Sequence, residues 1–458
     1  MEKHHHHERS TFSGKLGFVL SAAGASVGLG NIWRFPYLAA KYGGGIFLLI
    51  YIILALTFGY SMIIAETALG RMTRKSPVGA FGKFGKSKWL SFGGWINAVI
   101  PILIVPYYSV IGGWVIKYLI EYVKGNSQKL AEDGYFSAFI SDGTSTEICF
   151  LVFALLTLAI IFAGVRNGVE RVSKFMMPIL VFLSVLIAIY SVTRPGALAG
   201  VKYFLVPNPA NFSWMTVVAA MGQMFYSLSI AMGILVTFGS YMKRDVSIEG
   251  STTNVEIFDT AIAIMAGLMI IPAVFAFSGG DPDTLQAGPA LMFIIIPKVF
   301  ANMGFGTPIG IIFFLLVLMA ALTSSIALTE SAVSTFQDEL RWPRKGATVI
   351  VGIIMVILGS LSSLGYGPLA FVKIIGMQFL DFFDFLTNSV MMPIAAFATC
   401  ILISRVIGVG KIEEEVEADG GSFKRKKVFR FMIRYLCPIF TVIILLSSVA
   451  NAFGWISM

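Results

Sequence analysis

The stretch Gly24-Ala25-Ser26-Val27-Gly28-Leu29-Gly30-Asn31-Ile32-Trp33-Arg34-Phe35-Pro36 lies where a membrane-crossing helix belongs, with apolar residues 16–23 before it and 37–40 after it. Its middle nevertheless holds three glycines, an amide and an arginine. Each glycine costs about 1 kcal/mol in a helix interior. An arginine at bilayer depth costs at least ~2.5–3.5 kcal/mol. A segment that only spans would avoid both. The spacing therefore predicts a helix that breaks between Gly24 and Gly30. Its freed carbonyls would line a site, because irregular backbone at membrane depth survives only inside protein or beside a polar cavity. A kinked helix with a glycine packing face is the plainer reading. It leaves Asn31 and Arg34 without a reason.

Composition agrees with the membrane. Of 458 residues, 57% are hydrophobic and 13% charged, and the mean hydropathy is +0.82. Ordinary soluble domains carry about 25% charged residues. The net charge of +9 calls for no nucleic acid, because its distribution between loops accounts for it. Cys149, Cys400 and Cys437 lie in or beside apolar runs without CxxC spacing, and read as small core residues. All 4 histidines form the run His4–His7, read as a tag or solvated tail, so a histidine-based catalytic triad is excluded.

Eleven candidate spans follow from the apolar runs, at about 14–37, 45–70, 90–122, 146–164, 173–193, 214–241, 256–279, 306–336, 346–364, 376–404 and 427–452. Each is near or above the ~20 residues a bilayer requires. Most of the 34 Lys and Arg residues sit in alternate loops, among them Arg71, Arg74, Lys75, Arg166, Arg171, Arg405 and the run 424–427. The positive-inside rule then puts the N-terminus in the cytoplasm and the C-terminus outside. Residues 413–421 read as an acidic, solvated loop. A second interruption, Gln223-Met224-Phe225-Tyr226-Ser227-Leu228-Ser229-Ile230-Ala231-Met232-Gly233, falls in span six. Broken spans at corresponding places in two halves point to an inverted repeat with a mid-membrane site. The expected organisation is an all-α polytopic membrane protein with a cytoplasmic tail over 1–13 and a core over 14–404. Repeats of five spans each would cover 14–193 and 214–404, a cytoplasmic loop 405–426, and the eleventh span with a short external tail 427–458.

The motif Gly28-Leu29-Gly30-Asn31-Ile32-Trp33-Arg34-Phe35-Pro36 resembles the signature of the neurotransmitter:sodium symporter family. The likeness continues through Gly43-Gly44-Gly45, Glu66 before Gly70-Arg71, Tyr107-Tyr108, Gly222-Gln223 with Ser227 and Ser229, and Leu322-Thr323-Ser324-Ser325. It covers nearly the whole chain and is nearest the bacterial branch. The resemblance implies a sodium-coupled amino-acid symporter of the bacterial plasma membrane. One sodium would use the carbonyl of Ser26 and the side chains of Asn31, Ser227 and Asp259. The second would use the carbonyls of Gly24, Val27 and Ala320 and the hydroxyls of Thr323 and Ser324. Back-bonding to the preceding helical turn is the plainer reading of those hydroxyls.

The same resemblance implies that the substrate carboxylate meets the amides of Leu29 and Gly30 and the hydroxyl of Tyr108. Its ammonium would face carbonyls near Ala25, Tyr226 and Ser227. Ile104, Tyr108, Tyr226, Ser229, Met232, Ser324 and Leu328 would line the side-chain pocket. Arg34 with Asp384, in preference to Asp381, would form the outer gate. Arg9, Phe12, Tyr241 and Asp338 would form the inner one, and Glu66 would hold the unwound part of span six. Asp259 stands where the family more often has asparagine, and Ala263 offers no hydroxyl one turn later. A fixed carboxylate beside sodium would take the place of chloride, so chloride is not expected. Large hydrophobic or aromatic L-amino acids are the expected substrates, because Met232 stands where the family often has a ring and the pocket carries no acid. A transport-dead amino-acid sensor and a symporter of another small zwitterionic amine are the alternatives. A channel lacks support, since there is no row of like charges or carbonyl filter. Without histidine in the spans, a membrane enzyme would have no zinc site or histidine base.

Overall fold

A computed structural model describes residues 10–85, 87–281, 285 and 288–456. The described residues are helical and form no strand, with one isolated bridge between Ile374 and Met377. Among them, 9 helices are long and apolar enough to cross a membrane, or 10 if one bent pair counts as a span.

That pair is α1 (Lys15–Ser26) and α2 (Gly30–Lys41), which meet at 55°. The break has local causes. The amide of Val27 closes α1 on Ala23 O at 2.7 Å, and Val27 itself is extended. Two glycines then let other elements approach: a Cβ on Gly28 would lie 2.7 Å from Ser324 Oγ, and one on Gly30 would lie 2.5 Å from Tyr226 Cε1. Helix α3 (Gly45–Thr73) carries Glu66, fully buried. It is followed by α4 (Lys88–Val123), α5 (Gly143–Phe162) and α6 (Val165–Val192).

The second interruption separates α7 (Trp214–Ser227) from α8 (Ile234–Tyr241). A capping box between Ser213 and Thr216 starts α7. Between the two helices Ser229 and Ala231 take left-handed backbone, φ 53° and 59°. Each such non-glycine residue costs about 1 kcal/mol or more. The freed backbone has a partner, since Glu66 Oε1 accepts the amide of Ala231 at 2.8 Å. The remaining helices are α9 (Ile248–Ser278), α10 (Leu291–Ala301), α11 (Gly306–Leu340), α12 (Arg344–Leu364), α13 (Phe379–Ile407), α14 (Val409–Val416) and α15 (Lys426–Ala452). The long pair α4 and α11 pack along each other, and α1 packs on both α9 and α11.

The segment 413–421 departs from the solvated loop expected of its acidic composition. Val409, Ile412 and Val416 recur at helical spacing and are buried, so α14 docks on the bundle. Its acids are paired. Glu415 accepts Arg71 Nε at 2.7 Å, and Glu413 accepts Arg430 Nη2 at 2.8 Å. Arg71 is fully buried and also donates to Val246 O at 2.7 Å.

Candidate binding site

The two interruptions face each other. Ser229 Oγ donates to Ala25 O at 3.0 Å, joining the second break to the first. Ser324, on α11, sits within reach of three carbonyls freed by the first break: Gly24 O at 3.3 Å, Ala25 O at 3.1 Å and Val27 O at 3.4 Å. Tyr108, on α4, accepts the amide of Leu29 at 3.4 Å. A cavity of about 30 Å³ lies between these groups. Its walls include Ala25, Leu29, Gly30, Ile104, Tyr108, Tyr226, Ser227, Ser229, Met232, Ser324 and Leu328, which are the residues the sequence assigned to a substrate, with Ser26, Gly28, Asn31 and Ile234 added.

Beside the cavity is Asp259 on α9, fully buried. Its carboxylate accepts Asn31 Nδ2 at 2.9 Å, Ser227 Oγ at 3.0 Å and Tyr51 OH at 3.2 Å. Four elements therefore converge on one carboxylate. A buried carboxylate at this depth is costly unless hydrogen-bonded or answered by a cation. Thr323 does what the plainer reading foresaw, with Oγ1 donating back to Met319 O at 3.0 Å. Only Ser324 of that adjacent pair reaches α1 by hydrogen bond. Thr323 still packs there, since a Cβ on Gly24 would lie 3.2 Å from its Cβ. Ala320 is buried one turn earlier on α11, and its carbonyl lies 3.2 Å from Thr323 Oγ1.

On one side of Tyr108 and Tyr226 the space widens into a cavity of about 380 Å³ that also holds Arg34, Asp381, Asp384 and Asn388. The Arg34 guanidinium lies 5.3 Å from the centre of the Tyr226 ring. Asp384 accepts Asn388 Nδ2 at 2.6 Å, and Asp381 accepts Tyr366 OH at 3.0 Å. Both acids line this cavity with Arg34, and no ion pair joins Arg34 to either of them among the described residues.

At the opposite end Phe12 is buried edge-on against Phe18, Phe238 and Tyr241. Its amide donates to Tyr241 O at 3.1 Å. Asp338 accepts the amide of Ser76 at 2.6 Å. Arg9, assigned with them, lies outside the described residues. Tyr241 OH donates to Glu330 at 2.7 Å, and Arg344 donates to the same carboxylate at 3.0 Å and to Ile161 O at 2.9 Å. Sequence reasoning missed Glu330 and Arg344. The signal was present: an acid inside an apolar span must be paired. It also missed the tie at the start of α6, where Glu170 accepts the amide of Ser13 at 2.9 Å and the hydroxyl of the same residue.

Two broken helices that meet around a buried, hydroxyl-lined site are a mark of membrane transporters. The chain belongs to the sodium:neurotransmitter symporter family, whose model matches residues 9–131 and 136–454. It is 34% identical to the sodium-dependent transporter YhdH of Bacillus subtilis (strain 168), over 96% of this chain and 97% of that one. It is 27% identical to the mouse sodium- and chloride-dependent GABA transporter 2, over 90% of this chain and 75% of that protein. It is also similar to the crystal structure of MhsT in complex with L-phenylalanine, with a TM-score of 0.84 and 35% identity over 96% of this chain and 100% of that one.

Proposed function

We propose that the protein is a sodium-coupled symporter of large hydrophobic or aromatic L-amino acids that works by alternating access. The observation that carries the reading is the convergence of both helix breaks, Tyr108 and Ser324 on one cavity next to Asp259. MhsT, similar over its whole length, is described with L-phenylalanine bound. In this reading the α1–α2 and α7–α8 pairs are broken spans one and six of eleven, and the first ten spans form two inverted repeats. The proposed arrangement has a tail over 1–13, a core from 14 that runs to the end of α13 at Ile407, a cytoplasmic segment containing α14, and the eleventh span with its tail over 427–458, with the N-terminus cytoplasmic and the C-terminus external in a bacterial plasma membrane.

The substrate carboxylate would take the amides of Leu29 and Gly30 and the Tyr108 hydroxyl, and the ammonium the carbonyls near Ala25, Tyr226 and Ser227. A large side chain would be admitted by widening this cavity at its walls, which include Met232 and Tyr226. One sodium would be held by the Ser26 carbonyl, Asn31, Ser227 and Asp259. The other would be held by the carbonyls of Gly24, Val27 and Ala320 with Thr323 and Ser324. The hydroxyls of Tyr51 and Ser227 already point at the Asp259 carboxylate, which supports sodium coupling without chloride. Arg34 with Asp384 closes the outer side, and Phe12, Tyr241, Asp338 and Arg9 the inner side. Glu66 fixes the unwound backbone. Counterflow of radiolabelled amino acids in proteoliposomes, with and without a sodium gradient, tests this. Exchange that ignores sodium, or no exchange of any hydrophobic amino acid, overturns it.

A further inference from the structure

At the end of the fold that carries α14, four arginines have a carboxylate partner. Arg71 has Glu415, Arg344 has Glu330, Arg425 has Glu256 and Arg430 has Glu413. Arg405 and Arg434 depart from this pattern. Neither has a carboxylate partner among the described residues, and both side chains are exposed. Both also lie inside helices apolar enough to cross the membrane, Arg405 on α13 and Arg434 on α15.

The turns that carry them, Leu402–Ile407 and Met432–Leu436, touch each other. Their surroundings are apolar and also exposed: Val406 at 44%, Phe431 at 54% and Tyr435 at 57%. A surface of this composition on a spanning helix faces lipid, and a tyrosine there marks the headgroup level. An arginine facing hydrocarbon is costly unless it snorkels to an anion. Two guanidiniums on touching turns offer paired forks that match a phosphodiester.

We propose that Arg405 and Arg434 hold the headgroup of one anionic phospholipid between α13 and α15, with its acyl chains along Ile401 and Ile439. The leaflet is the cytoplasmic one if the orientation proposed above holds, but the site itself does not depend on that orientation or on transport. The phosphate would take one guanidinium from each helix, and Tyr435 would pack beside the glycerol. The lipid would thus clip α15 to α13, where no side-chain ion pair does so among the described residues.

The test uses the purified full-length protein in detergent. Phosphatidylglycerol that remains bound is counted by mass spectrometry, and Tm is measured in phosphatidylcholine micelles with and without added phosphatidylglycerol. The wild type should retain phosphatidylglycerol and gain Tm from it. R405Q/R434Q should retain roughly tenfold less and lose most of the gain, because both charge-assisted contacts are gone. R166Q/R171Q removes the same charge from exposed positions on α6 and should behave as wild type. Equal retention in R405Q/R434Q and wild type overturns the proposal. So does a wild-type Tm gain reproduced by inorganic phosphate alone, which would mean a free-anion subsite. If R405Q/R434Q does not fold, R405K/R434K keeps the charge without the forks, and unchanged retention there overturns the proposal as well.

Discussion

Asp259→Asn separates the role of a fixed negative charge from that of shape. The wild-type carboxylate is fully buried and accepts Asn31 Nδ2 at 2.9 Å, Ser227 Oγ at 3.0 Å and Tyr51 OH at 3.2 Å. Asparagine keeps the size but turns one acceptor oxygen into an NH2 group, which must face at least one of three donors. Breaking one side of a buried ion pair costs about 3–5 kcal/mol. At about 1.4 kcal/mol per tenfold, sodium affinity should fall by roughly two to three and a half orders of magnitude. Removing the carboxylate also frees Tyr51 OH and Ser227 Oγ, one turn from Gln223, whose Oε1 is buried without a partner among the described residues. Tyr51 and Ser227 can then donate to a halide, so chloride should partly restore binding to the variant. The assay is equilibrium binding of a labelled amino acid while sodium is titrated against choline, with chloride or gluconate as the anion. The wild type should be indifferent to the anion. The variant should be shifted to high sodium and stimulated by chloride. A wild type that loses binding in gluconate, or a variant with an unshifted sodium curve, would refute the charge-replacement reasoning.

Thr323→Ala with Ser324→Ala should abolish uptake driven by a sodium gradient, and uptake that persists in potassium-only medium would contradict the second sodium site. Arg34→Ala and Asp384→Asn should both slow net transport while Asp381→Asn, whose carboxylate is held by Tyr366, should not; transport kinetics of the three variants settle the partner. Met232→Phe should move preference toward smaller aliphatic amino acids, read by competition against labelled phenylalanine, and a variant with unchanged ranking shows that Met232 does not set the pocket. Gly30→Ala should weaken binding about tenfold or more, because its Cβ would lie 2.5 Å from the Tyr226 ring and overpacking costs ~1–3 kcal/mol.

The pattern of apolar runs and breaks made most of this architecture legible. Glycine and arginine inside one apolar segment cannot both serve a continuous helix, so the break at Gly24–Gly30 was readable from cost alone. The second break carries a weaker signal. Residues 228–233 include a single glycine, and the chain turns through Ser229 and Ala231 in left-handed backbone that their side chains disfavour. What sustains that strain is the amide of Ala231 bonded to Glu66, a residue 165 positions away, which no local pattern announces. The end of the bundle that carries α14 was legible only in part for a related reason. Charge counting treats an acid near solvent as solvated, yet Glu413 and Glu415 are spent on Arg430 and Arg71, and Glu330 on Arg344.

These pairings bear on how such a protein can move. The outer side holds its candidate ion pair apart, with Arg34 lying over Tyr226 rather than on Asp384. The inner side is closed by contacts of several kinds at once: rings around Phe12, a shared carboxylate at Glu330, and Ser13 on Glu170. Glu330 and Glu170 are buried, so separating their partners leaves an uncompensated buried charge, and the ring contacts are buried too and lose packing when separated. In the proposed alternating-access cycle, opening at the Phe12 end would break apolar packing as well as charge pairing, and opening at the Arg34 end would not. On the proposed cycle, that asymmetry would favour a substrate-free state open at the Arg34 end and sealed at the Phe12 end. Sodium bound at Asn31 and Asp259 would act on this balance from its centre, because those two residues join α2 to α9 directly.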